Sequence, residues 1–213
     1  MPRVFTLLLV SAAAGCGPTT GRGLPTHTGT PDLDYPVGAF ALTERSGRTV
    51  TDADLRGKVW VASFVFTRCS GPCPAVTATV ARLQSELPAA ELPDVRFVTY
   101  TVDPKRDRPE ELNEYAARHR ADPARWLFLT GEEKSIHTLM RDRFKLAIGR
   151  SEAAGAKAGE EFDHSTRLTL VDKNGVIRAT CDGMRNDQRP DADAAFEDGL
   201  KRFKEKVRKL SAE

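Results

Sequence analysis

The stretch from Val59 to Thr67, VWVASFVFT, constrains this chain more than any other. It is β-branched or aromatic almost throughout, and such a run reads as a strand buried on both faces of a sheet. A strand of that kind needs neighbours and helical cover, and the flanking pattern supplies both. Val76, Val80, Leu83 and Leu87 recur at helical spacing, with Pro74 in the first turn. Val95 to Val102 is a second strand and Trp126 to Thr130 a third. Between them Pro109 opens a helix with Leu112, Tyr115, Ala116 and His119 on one face, and after them Ile136, Leu139, Met140 and Arg143 mark another, ending near Phe144. Phe40 to Thr51 reads as a hairpin turning at Ser46-Gly47. Arg167 to Val171 and Val176 to Thr180 read as a second, turning at Lys173-Asn174-Gly175. The Gly- and Ala-rich segment 145–163 predicts a loop or loose hairpin. Phe196, Leu200, Phe203, Val207 and Leu210 predict a final amphipathic helix. The βαβ crossovers require a parallel central portion, and the closing hairpin adds antiparallel strands. The expectation is an α/β fold: a central mixed sheet flanked by helices, with an N-terminal hairpin and an inserted loop before the C-terminal hairpin.

The N-terminus reads as an address. After Arg3, Val4 to Ala14 is an apolar run that fits a signal-peptide core and is too short to span a bilayer. Its end, Ala13-Ala14-Gly15 before Cys16, resembles the lipobox of bacterial lipoproteins, with Ala13 where a large aliphatic residue is usual. Residues 1–15 are therefore expected to be a lipoprotein signal peptide and Cys16 the lipidation site. The other reading is an ordinary secretory signal with an incidental cysteine. Residues 16–36 are rich in Gly, Pro and Thr and read as a flexible tether. A coil of ~20 residues reaches roughly 25 Å. The folded domain is then expected over 37–211, exported to the bacterial cell envelope and held at a membrane. With 32 basic against 30 acidic residues, the balance argues against nucleic-acid binding by bulk charge, and no nucleic-acid partner is expected. Four cysteines are too few for a disulfide scaffold, so each is read on its own.

The chemistry lies directly after the buried strand, in Thr67-Arg68-Cys69-Ser70-Gly71-Pro72-Cys73-Pro74. A Cys-x-x-x-Cys pair at a strand-to-helix turn meets the positive end of a helix, and Arg68 adds a cation. Both favour thiolate, the form that attacks disulfides and binds metals. The pair could close a disulfide or grip one soft metal ion. A static structural disulfide is the plain alternative, but so short a loop gains little chain entropy from it. Of the four histidines, His164 stands just before a strand, and taken alone it reads as a structural side chain. His27 lies in the tether, His119 reads as a cap or core-edge residue, and His137 as surface. Cys181 reads as a small buried hydrophobe at a strand end.

Three phrases together give the sequence a likeness: FVFTRCSGPCP, TVDPKRDRPEELNEYA from Thr101, and HSTRLTLVDKNG from His164. Over about residues 35–205 the chain resembles the Sco/SenC family of copper-binding, thioredoxin-like proteins of cytochrome c oxidase assembly. The resemblance implies a thioredoxin-like fold, Cys69 and Cys73 as copper and redox sulfurs, and His164 as third ligand. It implies Asp103 as a carboxylate behind the site; a turn-capping aspartate before Pro104 is the alternative. It further implies copper, Cu(I) or Cu(II), as cofactor, and the copper-bearing subunit of the oxidase as partner. The expected function is a monomeric copper metallochaperone loading the dinuclear copper centre of that subunit. The alternative is a thiol-disulfide oxidoreductase that reduces the cysteines of that partner. Two sulfurs suit Cu(I), and an added imidazole suits Cu(II). A closed structural zinc site normally needs four protein ligands. Thioredoxin-like reductases usually have two residues between the cysteines and a proline before the third core strand; here there are three, and His164-Ser165-Thr166 has no proline.

Overall fold

The computed structural model describes residues 33–151, 159, 161–188 and 190–213. The expected signal peptide, Cys16 and the expected tether up to residue 32 lie outside the described residues. In chain order the strands are β1 (Tyr35–Pro36), β2 (Ala41–Glu44), β3 (Thr49–Thr51), β4 (Val59–Val65), β5 (Val95–Thr101), β6 (Trp126–Thr130), β7 (Ile148–Arg150), β8 (Phe162–His164), β9 (Arg167–Val171) and β10 (Val176–Asp182). The helices are α1 (Cys73–Glu86), α2 (Pro109–Arg118), α3 (Glu133–Thr138) and α4 (Ala192–Ala212). Eight strands form one sheet in the order β1-β10-β9-β4-β5-β6-β2-β3, while β7 and β8 make a separate ribbon.

The apolar run behaves as its composition dictates. All seven residues of β4 are buried, and the strand lies mid-sheet between β9 and β5. β4, β5 and β6 run parallel, as two βαβ crossovers require. Helix α1 buries Val76, Val80 and Leu83, and α4 buries Leu200, Phe203, Val207 and Leu210. Each such side chain contributes about 1.5–3 kcal/mol when fully removed from water, which docks both helices. The spacing that predicts one helix up to Phe144 is met by two pieces. α3 is followed by a π-type turn over Leu139–Arg143. The wider turn keeps Leu139 and Met140 buried and drops Phe144 edge-on against Trp60 and Phe64.

The body begins earlier than composition suggests. Leu33 to Pro36, assigned to the tether above, pair with the edge of β10: Tyr35 stands opposite Ile177, and the Leu33 N–H donates to the Arg178 carbonyl at 3.1 Å. Proline is compatible with an edge strand because it can leave its missing donor facing outward, so a Pro-rich segment need not be a linker. The loop or loose hairpin expected at 145–163 contains the β7–β8 ribbon, with Ile148 opposite His164 and Arg150 opposite Phe162. Residues 152–158 and 160 of that segment lie outside the described residues.

One pairing decides where function can sit. β9 runs antiparallel to β4, with Trp60 opposite Val171 and Ala62 opposite Thr169. The start of β9 therefore lies at the end of β4 that carries the cysteine loop. His164 precedes the first residue of β9 by three positions, so the topology returns it to that same end of the sheet.

Candidate metal centre

The loop after β4 is held from below by a buried carboxylate. Asp107 is 1% exposed. It accepts the Thr67 N–H at 2.9 Å, the Thr67 hydroxyl at 2.6 Å and the Thr101 hydroxyl at 2.5 Å. Its own turn is closed by its N–H, which donates to the Asp103 carbonyl at 2.9 Å. Removing one such acceptor would strand buried donors, so Asp107 fixes the direction in which the chain leaves β4. From above, Gly159 meets the same loop. The Ser70 N–H donates to the Gly159 carbonyl at 3.3 Å. A β-carbon on Gly159 would come within 2.6 Å of the Arg68 carbonyl, and its φ of +96° is itself one that favours glycine. Glu161 receives Arg106, and Arg106 also reaches Asp103 at 3.5 Å.

Within this frame Cys69 is half-buried and Cys73 wholly buried, and both are free thiols. Cys73 is the first residue of α1. Thr77, one turn on, donates to the Cys73 carbonyl at 2.9 Å and is bonded in turn to the Tyr115 hydroxyl at 2.7 Å. The two sulfurs are electrostatically unlike. The Cys73 S–H directed at Cys69 lowers the Cys69 pKa to about 6, burial opposes, and the backbone N–H groups of Cys73 and Gly71 add to the lowering. Cys73, as the donor and buried, is pushed far up. Arg68, credited above with stabilising the thiolate, is exposed; the helix-start amides and the neighbouring thiol perform that task.

His164 stands beside this pair. Its Nε2 lies 3.4 Å from the Cys73 sulfur, and its ring meets Phe66 edge-on at 5.9 Å. Its Nδ1 is 3.0 Å from the Ser165 carbonyl. A carbonyl only accepts, so Nδ1 carries the proton and Nε2 turns a lone pair toward the sulfur. Burial lowers the pKa of the ring, which keeps that lone pair available. With bond lengths typical of zinc, two donors of one tetrahedral ion, sulfur and imidazole nitrogen, sit roughly 3.5 Å apart. The observed separation matches that spacing. Among the described residues no group of three or more His, Cys, Asp or Glu side chains is arranged as it stands to hold a metal ion. Cys73 is within hydrogen-bond reach of both His164 and Cys69.

The remaining expectations divide. Asp103 is buried, with its pKa raised by that burial and held back by Arg106. Its carboxylate meets Arg106, and no hydrogen bond among the described residues joins it to a cysteine. Cys181 is buried opposite Leu168, and burial pushes its thiol up. His119 caps α2 and lies 4.6 Å from the Tyr115 ring. His137, read as surface, is instead half-buried and bonded to the Val102 carbonyl at 2.8 Å. Sequence reasoning missed Asp107, although it lies inside TVDPKRDRP, and Gly159, which is camouflaged among other small residues.

The unequal thiols make a testable pH signature. Thiolate is present above a thiol's pKa, so alkylation of Cys69 by iodoacetamide is expected to rise through about pH 6 and level off by pH 8. An ordinary thiol would still be accelerating there. Cys73→Ala removes the donor and should move the midpoint upward. A midpoint near 8.5 in the unmodified chain would contradict the proposed pairing of the sulfurs.

Comparison with known proteins places the fold in a family. The family model described as SCO1/SenC matches residues 29–195. A SCO1 protein homolog of Bacillus subtilis is 32% identical over 155 residues, covering 72% of this chain and 77% of that protein. The structure of a SCO1/SenC family lipoprotein from Bacillus anthracis superposes with a TM-score of 0.69 at 31% identity, covering 86% of this chain and 98% of that one. BsSco, a member of the Sco family of cytochrome c oxidase assembly proteins with an identified disulfide switch, gives 0.68 at 29% identity, covering 86% and 97%. The copper-bound ScoI of Bradyrhizobium japonicum, at 22% identity and a TM-score of 0.60, shares the fold over 78% of this chain and 98% of its own. With its thioredoxin-like sheet and its match across most of the described domain, this chain belongs to the SCO1/SenC family.

Proposed function

We propose that this protein is a copper chaperone of cytochrome c oxidase assembly that carries one copper ion on Cys69, Cys73 and His164 as cargo for the dinuclear copper centre of the oxidase. The observation that carries the reading is the 3.4 Å approach of His164 Nε2 to the Cys73 sulfur, across a wide gap in sequence. The single Cys73 proton lies among two sulfurs and a nitrogen, where a soft cation would satisfy all three. Copper uptake then displaces that proton to solvent and draws Cys69 in. Two thiolates with Cu(I) sum to a charge of −1, and with Cu(II) and a neutral imidazole to zero. Release proceeds by ligand exchange, a partner thiolate bonding to copper as a bond to Cys69 or Cys73 breaks. Asp103 serves behind the site through Arg106 and Glu161, and Cys181 stays outside it.

A second reading is favoured by a specific observation. A half-buried low-pKa thiol beside a wholly buried high-pKa thiol is the arrangement of a disulfide exchanger. In that reading the Cys69 thiolate attacks a partner disulfide, and Cys73 resolves the mixed disulfide. Reduced partner cysteines and an oxidised Cys69–Cys73 pair result. Both readings place the chain outside the cytoplasmic membrane, held by lipid on Cys16.

Anaerobic titration of the reduced full chain with Cu(I) and with Cu(II) tests the first reading. The expected endpoint is one copper per chain, the capacity of one set of two thiolates and an imidazole. The Cu(II) form should show sulfur-to-copper charge-transfer absorption. Reduction of a test disulfide by metal-free protein, with no tight copper binding, would shift the assignment to the second reading.

A further inference from the structure

We propose that the outer side of the β7–β8 ribbon is the docking site for the copper-receiving protein, which adds an extended acidic segment as a strand along β7. The inference rests on the copper-delivery reading above and names the surface through which delivery occurs.

The outer edge of β7 is open among the described residues. The Ser165 N–H donates to the Ala147 carbonyl and the Ser151 N–H to the Glu161 carbonyl, with Ile148 opposite His164. In an antiparallel ladder bonded and non-bonded pairs alternate. Ile148 and Arg150 therefore belong to the non-bonded pairs, and their N–H and C=O groups point away from β8. No backbone or side-chain partner takes them up among the described residues. A strand with such an edge is a template for another chain, and strand addition is a common mode of peptide recognition.

A groove of about 610 Å³ lies along this part of the ribbon, with Leu146 and Ile148 in its apolar lining and His164 at one side. Two exposed cations, Lys145 and Arg167, also line it, and neither has an ion-pair partner among the described residues. One exposed acid, Asp163, shares the lining with them, and a second, Asp182, stands opposite Arg167 on β10 outside that lining. Arg150 is not available, since Glu133 holds it at 3.0 Å. Within the lining two cations face one acid, so the segment that complements it carries a carboxylate, placed beside Lys145, the cation farther from Asp182. Lys145 adds an independent sign. It follows the π-type turn with φ of +57°, and the Leu146 N–H closes back on the Met140 carbonyl at 3.1 Å. Glycine fills that position with least strain, yet the chain keeps a cation there. A strand laid along β7 would lie two strand spacings, about 10 Å, from β8, which carries His164 opposite Ile148, so the segment docks beside the candidate ligands and its flanking chain brings the partner thiol to them.

The test uses the full chain loaded with Cu(I) and the purified copper-free domain of the oxidase subunit that bears the dinuclear centre. Lys145→Glu with Arg167→Glu should slow copper transfer about tenfold or more at low ionic strength, because charges at an interface rim act on association. Copper affinity and Cys69 alkylation should stay within twofold of the unmodified chain. Adding the metal-free domain should protect the Ile148 and Arg150 amides from hydrogen exchange. If the unmodified chain transfers copper and the double variant transfers it as fast, or if protection appears elsewhere and not at these amides, the docking surface is wrong while copper delivery stands. If the unmodified chain transfers no copper, both fall.

Discussion

Replacing Cys69 and Cys73 together with serine is expected to abolish tight copper binding, with Cu(I) affinity falling at least a thousandfold, about 4 kcal/mol. The substitution keeps size and hydrogen-bonding capacity and changes softness. Serine offers hard hydroxyls that stay protonated at neutral pH, whereas Cu(I) selects polarisable thiolates. Cys69 is the thiolate already poised to bind, at a pKa of about 6. In the proposed site Cys73 becomes one when copper displaces its proton. Each single serine variant should lose less than the pair, because Cys73 with His164, or Cys69 with His164, still offers a sulfur and a nitrogen. Cys181→Ser should leave the stoichiometry at one, since that thiol is buried and pushed away from ionisation. Competition against a coloured Cu(I) chelator reads the affinity, and circular dichroism checks that the wholly buried position 73 tolerates the change. An unchanged affinity in a folded double variant would show that copper, if bound, sits elsewhere.

The fold was legible because its strongest signals are local. The β4 run, the steps of 4 and 3 along α4 and the Asn174-Gly175 turn, with Gly175 at φ of +73°, each report their own element without knowledge of the rest. The cysteines were legible for the same reason, standing at a strand end before a helix. His164 was not legible from its surroundings. Its place depends on β9 pairing antiparallel with β4, a long-range fact that no window of sequence contains, and the family likeness supplied it instead. The supports of the loop were hidden in two different ways. Asp107 is one acid among many, and only its three donors distinguish it. Gly159 owes its importance to the Arg68 carbonyl close above its α-carbon, a contact between segments far apart in the chain. Composition misled at Leu33 to Pro36, because proline content measures the cost of a central strand and leaves an edge strand open.

His164→Ala is expected to separate the two oxidation states of copper. Cu(II) affinity should fall about a hundredfold and Cu(I) affinity less than about tenfold, because Cu(I) is satisfied by two sulfurs while Cu(II) draws on nitrogen and a higher ligand count. The geometry assigns the loss to one atom. Nδ1 is committed to the Ser165 carbonyl, so Nε2, 3.4 Å from the Cys73 sulfur, is the donor that alanine removes. The direction of the histidine shift fixes the pH dependence. Burial lowers its pKa, so the ring stays neutral to a more acidic pH than free histidine. The Cu(II) difference between the unmodified chain and His164→Ala should therefore persist as pH falls through 6.5 and shrink only below it. Alanine also removes the edge contact with Phe66, so thermal unfolding of the metal-free variant separates lost packing from a lost ligand. Paired titrations at matched pH decide the matter: equal losses for both ions would leave His164 a packing residue beside a dithiol and transfer the cargo role to the sulfurs alone.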